Sequence, residues 1–259
     1  MVVDLQELAR RMLADFDART PGRLFAEPIE LSSDYAYAVQ AEITRLREER
    51  GEKVIGYKVG CISKPIQAQL GVKEPIFGRL FSTGCFRSGA SLSYAHFANL
   101  AVEGELAVRL GKDLTGSADS EDVCREAIES VFPVVELHHF LLHGGLSPIP
   151  QLIATSGMHA GFVLAETETS SSGLANFAHG LTVRINEVVV GAVVDSASLI
   201  CPIQSLRWLA GCVPQFGLQL CKGQVILTGS PLPLYPVPPC SRIVVEVPPL
   251  GPSCVEIVP

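Results

Sequence analysis

From Lys53 onward the chain is a succession of short apolar runs broken by Gly and Pro, a texture that restricts it to a sheet-rich fold. The runs span 54–59, 76–81, 100–110, 131–137, 161–164, 181–185, 188–194, 224–227, 243–247 and 254–258. Ahead of them, 5–16 and 33–50 carry apolar residues at helical spacing, with Ser32, Ser33 and Asp34 as cap candidates and Gly51 as a stop. Further helices are expected over 120–130, capped by Ser120 or Asp122, and over 203–212, and Asn186-Glu187 reads as a hairpin turn. Strands this irregularly spaced fit an α+β arrangement better than repeated βαβ units. The expected organisation is a helical portion over 1–52 followed by one domain of catalytic size over 53–259. The Pro-rich segment 231–239 is expected to be a surface connection.

Inside the apolar runs sit three carboxylates: Glu103 and Glu105 in Ala101-Val102-Glu103-Gly104-Glu105-Leu106, and Glu136 in Val134-Val135-Glu136-Leu137. Strand alternation puts Glu103 and Glu105 on one face, and the Glu136 run is able to pair nearby. An unpaired buried carboxylate costs several kcal/mol. The solutions are a hard cation, a basic partner or protonation, and the first makes these residues the start of an oxygen cage.

A chain of 259 residues, 18% charged and 47% hydrophobic, is long enough to bury a large core. Its net charge of −7 and lack of a Lys/Arg block argue against a nucleic-acid partner. No apolar run reaches membrane length, and the first thirteen residues, amphipathic and of mixed charge, do not resemble a signal peptide. The eight cysteines contain no C-x-x-C pair, which points to small buried hydrophobes in a reducing cytoplasm.

A wider set of motifs carries a resemblance. Gly56-Tyr57-Lys58-Val59-Gly60, Gln69-Leu70-Gly71-Val72, Phe77-Gly78-Arg79-Leu80-Phe81, Val102-Glu103-Gly104-Glu105, Trp208-Leu209-Ala210 and 223–230 are similar to the 2-keto-4-pentenoate hydratase and 4-oxalocrotonate decarboxylase group of the fumarylacetoacetate hydrolase superfamily. The resemblance covers roughly residues 35 to 257. It implies a mixed β-roll core holding one Mg2+ or Mn2+ through Glu103, Glu105 and Glu136. The ion would chelate a small 2-oxo or 2-hydroxydienoate acid and stabilise an enolate during hydration or decarboxylation. Lys58 matches the lysine of the first strand motif, where it pairs with the substrate or, if its pKa is lowered by the cation and burial, relays a proton. The implied substrate contacts are Leu70, Gly71 and Val72, the segment Thr155, Ser156 and Met158, and Ser230.

The departures bear on the pocket. Where the family has an Asp-Asn-Ala-Ser run, this chain has Thr155-Ser156-Gly157-Met158, and Ile200-Cys201-Pro202 stands where Gly-His-Pro is usual. His138 and His139 follow Glu136, with His143 nearby; His138 shares a strand face with Glu136 and enters the site as acid, base, ligand or substrate contact. Clustered histidines also suggest zinc, but the glutamates favour a hard, oxygen-ligated ion. His96, His159 and His179 read as structural. Gly144-Gly145 lacks the setting of a phosphate loop, and Gly229-Ser230-Pro231 lacks the elbow of a serine hydrolase. The expected activity is a metal-dependent lyase, hydratase-like, with decarboxylation, or a divergent, weakly catalytic role in a complex or a repurposed pathway, as alternatives. A homo-oligomer, or a complex with a related hydratase or decarboxylase, is expected.

Overall fold

The structure is a computed structural model that describes residues 4–19, 31–114, 120–139, 149–171, 180–194 and 199–259. His143, Gly144-Gly145 and His179 lie outside the described residues. The elements run α1 (Leu5–Ala18), α2 (Ser33–Glu49), β1 (Val54–Gly60), α3 (Lys64–Leu70), β2 (Ile76–Phe81), β3 (Cys85–Arg87), β4 (Ala90–Ser93) and β5 (Ala101–Leu110). They continue with α4 (Glu121–Ala127), β6 (Ile128–His138), α5 (Ile149–Ala154), β7 (His159–Leu164), β8 (Thr169–Ser170), β9 (Leu181–Ile185) and β10 (Val188–Val193). Last come α6 (Pro202–Cys212), β11 (Val225–Leu227), β12 (Tyr235–Pro236), β13 (Ser241–Glu246) and β14 (Pro252–Val258).

The strands form two mixed sheets. The larger has the order β2-β1-β11-β5-β6-β7-β3, with β12 paired to β5 and β8 to β6; the smaller is β10-β9-β13-β14-β4. They face each other across one apolar core in which Val102, Leu106 and Val108 of β5 meet Leu181 and Val183 of β9 and Val245 of β13. Gly104 belongs to this face. A Cβ there would stand 2.6 Å from Val183 Cγ2, so the second sheet packs this closely only because the position has no side chain. Residues on the other face of β5 are thereby turned into the curve of the larger sheet.

That curve is pronounced. Lys58 on β1 reaches Glu136 on β6 at 2.9 Å, although β11 and β5 lie between, and a flat sheet would separate these strands by roughly 14 Å at about 4.8 Å per step. Outside the sheet, α1 and α2 pack on α5, Ile76 and Met158 in a second apolar cluster. Ser32 caps α2 by accepting from Tyr35 N at 3.2 Å, and Asn186 and Glu187 both take positive φ in the tight β9–β10 turn, as expected for this hairpin.

Several local expectations are revised. Residues 64–70 form a helix where none was expected, with Ser63 accepting from Ile66 N and Gly71 closing the end at φ 68. Helix α4 stops at Ala127, because Ile128–Ser130 already pair with β5 and β8 and form the start of β6. Within 231–239, Tyr235 and Pro236 pair with Val102 and Ala101, and Val237 is buried. None of the eight cysteines is in a disulfide. Among the described residues no helix is long and apolar enough to cross a membrane.

Candidate metal centre

Strand pairing assembles the centre. In the β5–β6 register Glu103 lies opposite Glu136, Ala101 opposite His138 and Glu105 opposite Val134. Opposed residues of an antiparallel pair share a face, so both strands present their polar side chains to the concave side. A shift of register between Leu137 and His138 sets His159 of β7 opposite His138. Lys58 enters from β1, whose neighbour β11 leads into Gly229.

The result is a buried network centred on Glu136. Its Oε1 accepts from Lys58 Nζ at 2.9 Å and from His159 Nδ1 at 2.7 Å. Its Oε2 lies 3.5 Å from His138 Nε2, which is 3.3 Å from Glu103 Oε2. The His138 Nδ1–H donates to Gly157 O at 3.2 Å, since a carbonyl only accepts. Glu105 Oε2 accepts from the Gly229 N–H at 2.8 Å. Of these side chains only Glu103 keeps appreciable exposure, 18%.

Burial and proximity split the protonation states. Burial opposes charge on Lys58, yet Glu136, Glu103 and Glu105 outweigh it and hold the ammonium well above the ordinary lysine range. Burial likewise opposes ionisation of Glu136, but Lys58 and then His138 keep it well below the ordinary carboxylate range. Glu105 goes the other way: burial and the neighbouring Glu136 charge lift its carboxyl well above that range. Burial would lower His138, but Glu136 and Glu103 raise it to about 9. For His159 burial wins over the bond to Glu136, and its pKa falls. Basic pairing and protonation thus each stabilise one carboxylate.

Both leave polar atoms bare. Glu105 Oε1, Glu136 Oε2, His138 Nε2 and His159 Nε2 are buried without a hydrogen-bond partner, a condition that ordinarily costs 1–3 kcal/mol or about that each. One ligand atom from each of Glu103, Glu136 and His138 lies within 4.8 Å of the others. Bare, convergent donors of this kind suit a divalent cation.

The centre forms the floor of a cleft of about 560 Å³ that also exposes Ser230. Its walls are mostly apolar, with Ile62, Leu70, Ile76, Met158, Leu232 and Leu234 beside Ser63 and Gln69. Ser230 Oγ lies 3.1 Å from Gly104 O and 2.9 Å from Leu232 O, tying the cleft rim to β5.

Residues 55–258 match the family described as fumarylacetoacetate (FAA) hydrolase, C-terminal. The chain belongs to the FAA hydrolase family. It is 33% identical over 221 residues to a 2-hydroxyhexa-2,4-dienoate hydratase of Comamonas testosteroni, covering 85% of this chain and 84% of that one. It is 31% identical over 233 residues to a 4-oxalocrotonate decarboxylase of a Pseudomonas species, covering 86% and 88%. The fold superposes on a 4-oxalocrotonate decarboxylase from Pseudomonas putida G7, complexed with magnesium and adipate, with a TM-score of 0.90 at 25% identity over 98% of this chain and 97% of that one. The expected α+β fold and family are those observed.

In this FAA hydrolase family member the expected site residues divide into two groups. Lys58, Glu103, Glu105, Glu136, His138, Leu70, Met158 and Ser230 meet at the cleft or its floor. Gly71 instead closes α3, and Val72 lines a separate groove with Trp208 and Phe216. Thr155 and Ser156 face a cavity under α1 and α2, where Thr155 Oγ1 donates to Gln151 O and Ser156 Oγ accepts from Arg79 N. Its three carboxylate neighbours hold the Lys58 ammonium above the ordinary lysine range, and the lowering that a proton relay needs rests on a bound cation. His159, read from sequence as structural, sits on Glu136, and the Gly229 N–H and Gly157 carbonyl were missed. Backbone groups carry no residue-type signal; for His159 the one available cue was its place at the head of a strand beside the Glu136 run.

Proposed function

We propose that this FAA hydrolase family member is a divalent-metal-dependent lyase that adds water to a small 2-hydroxydienoate or 2-oxo acid, with Mg2+ or Mn2+ held by Glu103, Glu105 and Glu136. The observation that carries the reading is a set of buried carboxylates with bare oxygens, gathered around one ammonium at the floor of an apolar cleft. A bound divalent ion supplies a Lewis acid for the oxygens of a 2-oxo carboxylate.

The chain's own residues do the rest. Lys58 and His159 fix Glu136 Oε1, so that Oε2 remains turned toward His138 and Glu103. The Lys58 ammonium faces any incoming carboxylate and carries a proton close to it. Ile62, Leu70, Met158 and Leu232 strip water from the hydrocarbon part of the acid and leave its polar end at the floor.

Decarboxylation of a 4-oxalocrotonate-like acid is the second reading, favoured by the 0.90 TM-score to the decarboxylase. Both reactions need the same electron sink. Incubation with 2-hydroxypenta-2,4-dienoate and with 4-oxalocrotonate, each with Mg2+ or Mn2+, distinguishes them through absorbance and released carbon dioxide. Hydration without carbon dioxide is expected; no turnover of either acid by metal-loaded protein sinks the reading. The same reading includes a homo-oligomer or a complex with a related hydratase or decarboxylase, which light scattering on the eluted protein measures.

A further inference from the structure

Of the two bare ring nitrogens at the centre, His138 Nε2 and His159 Nε2, it is His138 Nε2 that stands beside two carboxylate oxygens. It is 1% exposed, has no hydrogen-bond partner, and stands 3.3 Å from Glu103 Oε2 and 3.5 Å from Glu136 Oε2. Atoms that ligate one ion at roughly 2.1 Å lie about 3.0 Å apart in cis-octahedral and about 3.4 Å apart in tetrahedral arrangement. The observed separations match that spacing without forming aligned hydrogen bonds. The ring is also held as a metal-binding histidine is held: its other nitrogen donates to a backbone carbonyl, Gly157 O, which orients the imidazole and directs Nε2 to the carboxylates. Gly157 is fixed in turn. It takes φ +67, and a Cβ there would come 3.1 Å from Lys58 Nζ, so the turn that orients His138 is packed on the lysine of the same centre.

We propose that His138 is a nitrogen ligand of the divalent ion, which the chain then holds through Glu103, Glu136 and an imidazole, with Glu105 Oε1 as a further oxygen donor. This rests on the metal-site reading above and sharpens it. A mixed nitrogen and oxygen set moves affinity along the series from Mg2+ toward Mn2+ and later transition metals, because imidazole is a softer donor than carboxylate. Proton and ion compete for the same Nε2 position, since both are attracted by Glu103 and Glu136.

The test uses the whole chain with Mn2+ alone and Mg2+ alone. Pulsed electron paramagnetic resonance of the Mn2+-loaded wild type is expected to show hyperfine coupling to one directly bound nitrogen. In His138→Val, and in His138→Gln, which keeps a polar group of similar reach, that coupling disappears. Calorimetry then gives a Mn2+ to Mg2+ affinity ratio at least about tenfold lower than wild type, the loss that even an indirect partner of a ligand produces. Mn2+ bound by wild type without nitrogen coupling, or an unchanged ratio in both variants, overturns the His138 assignment and leaves the carboxylate site standing. No Mn2+ binding by wild type, or unchanged Mn2+ affinity in Glu136→Gln, overturns both.

Discussion

Lys58 Nζ and Glu136 Oε1 form a 2.9 Å ion pair between side chains that are 5% and 0% exposed, across a sheet curved enough to bring β1 over β6. The ammonium is therefore held in place by the group whose charge it offsets. Replacing it as Lys58→Met is expected to lower turnover about 10²- to 10⁴-fold, the range for a lost proton-transferring group. Metal affinity is expected to stay or rise, because a competing positive charge has gone. Initial rates set beside calorimetry with Mn2+ decide the matter, and either unchanged turnover or lost metal binding contradicts it.

Glu136 has the converse role. Glu136→Gln is expected to abolish tight Mg2+ or Mn2+ binding and to lower metal-free stability by about 3 kcal/mol, the lower end for breaking a buried pair, since Glu103 and Glu105 still face Lys58. Glu103→Ala is expected to lose the metal with a smaller stability change, its side chain being 18% exposed. Urea melts without metal, read alongside calorimetry, check the two effects separately.

Gly104 sets how closely the sheets approach. Gly104→Ala would bring a Cβ to 2.6 Å of Val183 and 3.2 Å of Leu181 and Val245, and it is expected to destabilise by about 1–3 kcal/mol through overpacking. Adding Val183→Ala removes the closest clash. A double-mutant cycle by urea denaturation is expected to show positive coupling; strictly additive losses would place the strain elsewhere.

Glu52 gives the fold an acid limit. It accepts from Arg47 at 2.6 Å, from Arg50 at 2.5 Å and from Thr83, while Arg50 also bonds Asp17 of α1 and Arg47 lies 3.6 Å over the Phe81 ring. Burial raises the Glu52 carboxyl, but Arg47, Thr83 and Arg50 prevail and bring it to about 2. A folded pKa below the unfolded value of about 4.3 means the stabilisation is full above that pH and is lost as pH falls toward 2. Thermal melts between pH 5 and pH 2 are expected to fall less steeply in Glu52→Gln than in wild type.

What the sequence discloses depends on whether a feature is periodic. Alternation along 101–110 places Glu103 and Glu105 on one face, and apolar runs mark the strands of both sheets. Helix α3 escaped because seven residues span barely two turns, too few for a period to emerge. The Lys58–Glu136 pair depends on sheet curvature, which no local pattern reports. Thr155 and Ser156 occupy the expected stretch of chain but turn away from the cleft, because positive φ at Ser156, Gly157 and Met158 reverses the backbone there and offers a carbonyl instead of two hydroxyls.

The pairing of Glu103 with Glu136 has an evolutionary consequence. Because strand faces alternate with period two, deleting one residue from either strand would turn the cage inside out, setting carboxylates against Val183 and Leu181 and apolar side chains into the cleft. A substitution in these strands leaves the faces as they are, whereas a single insertion or deletion exchanges them. An ion seated between Glu103 and Glu136 would thus report on alignment, since only the correctly paired β5 and β6 would offer it that place.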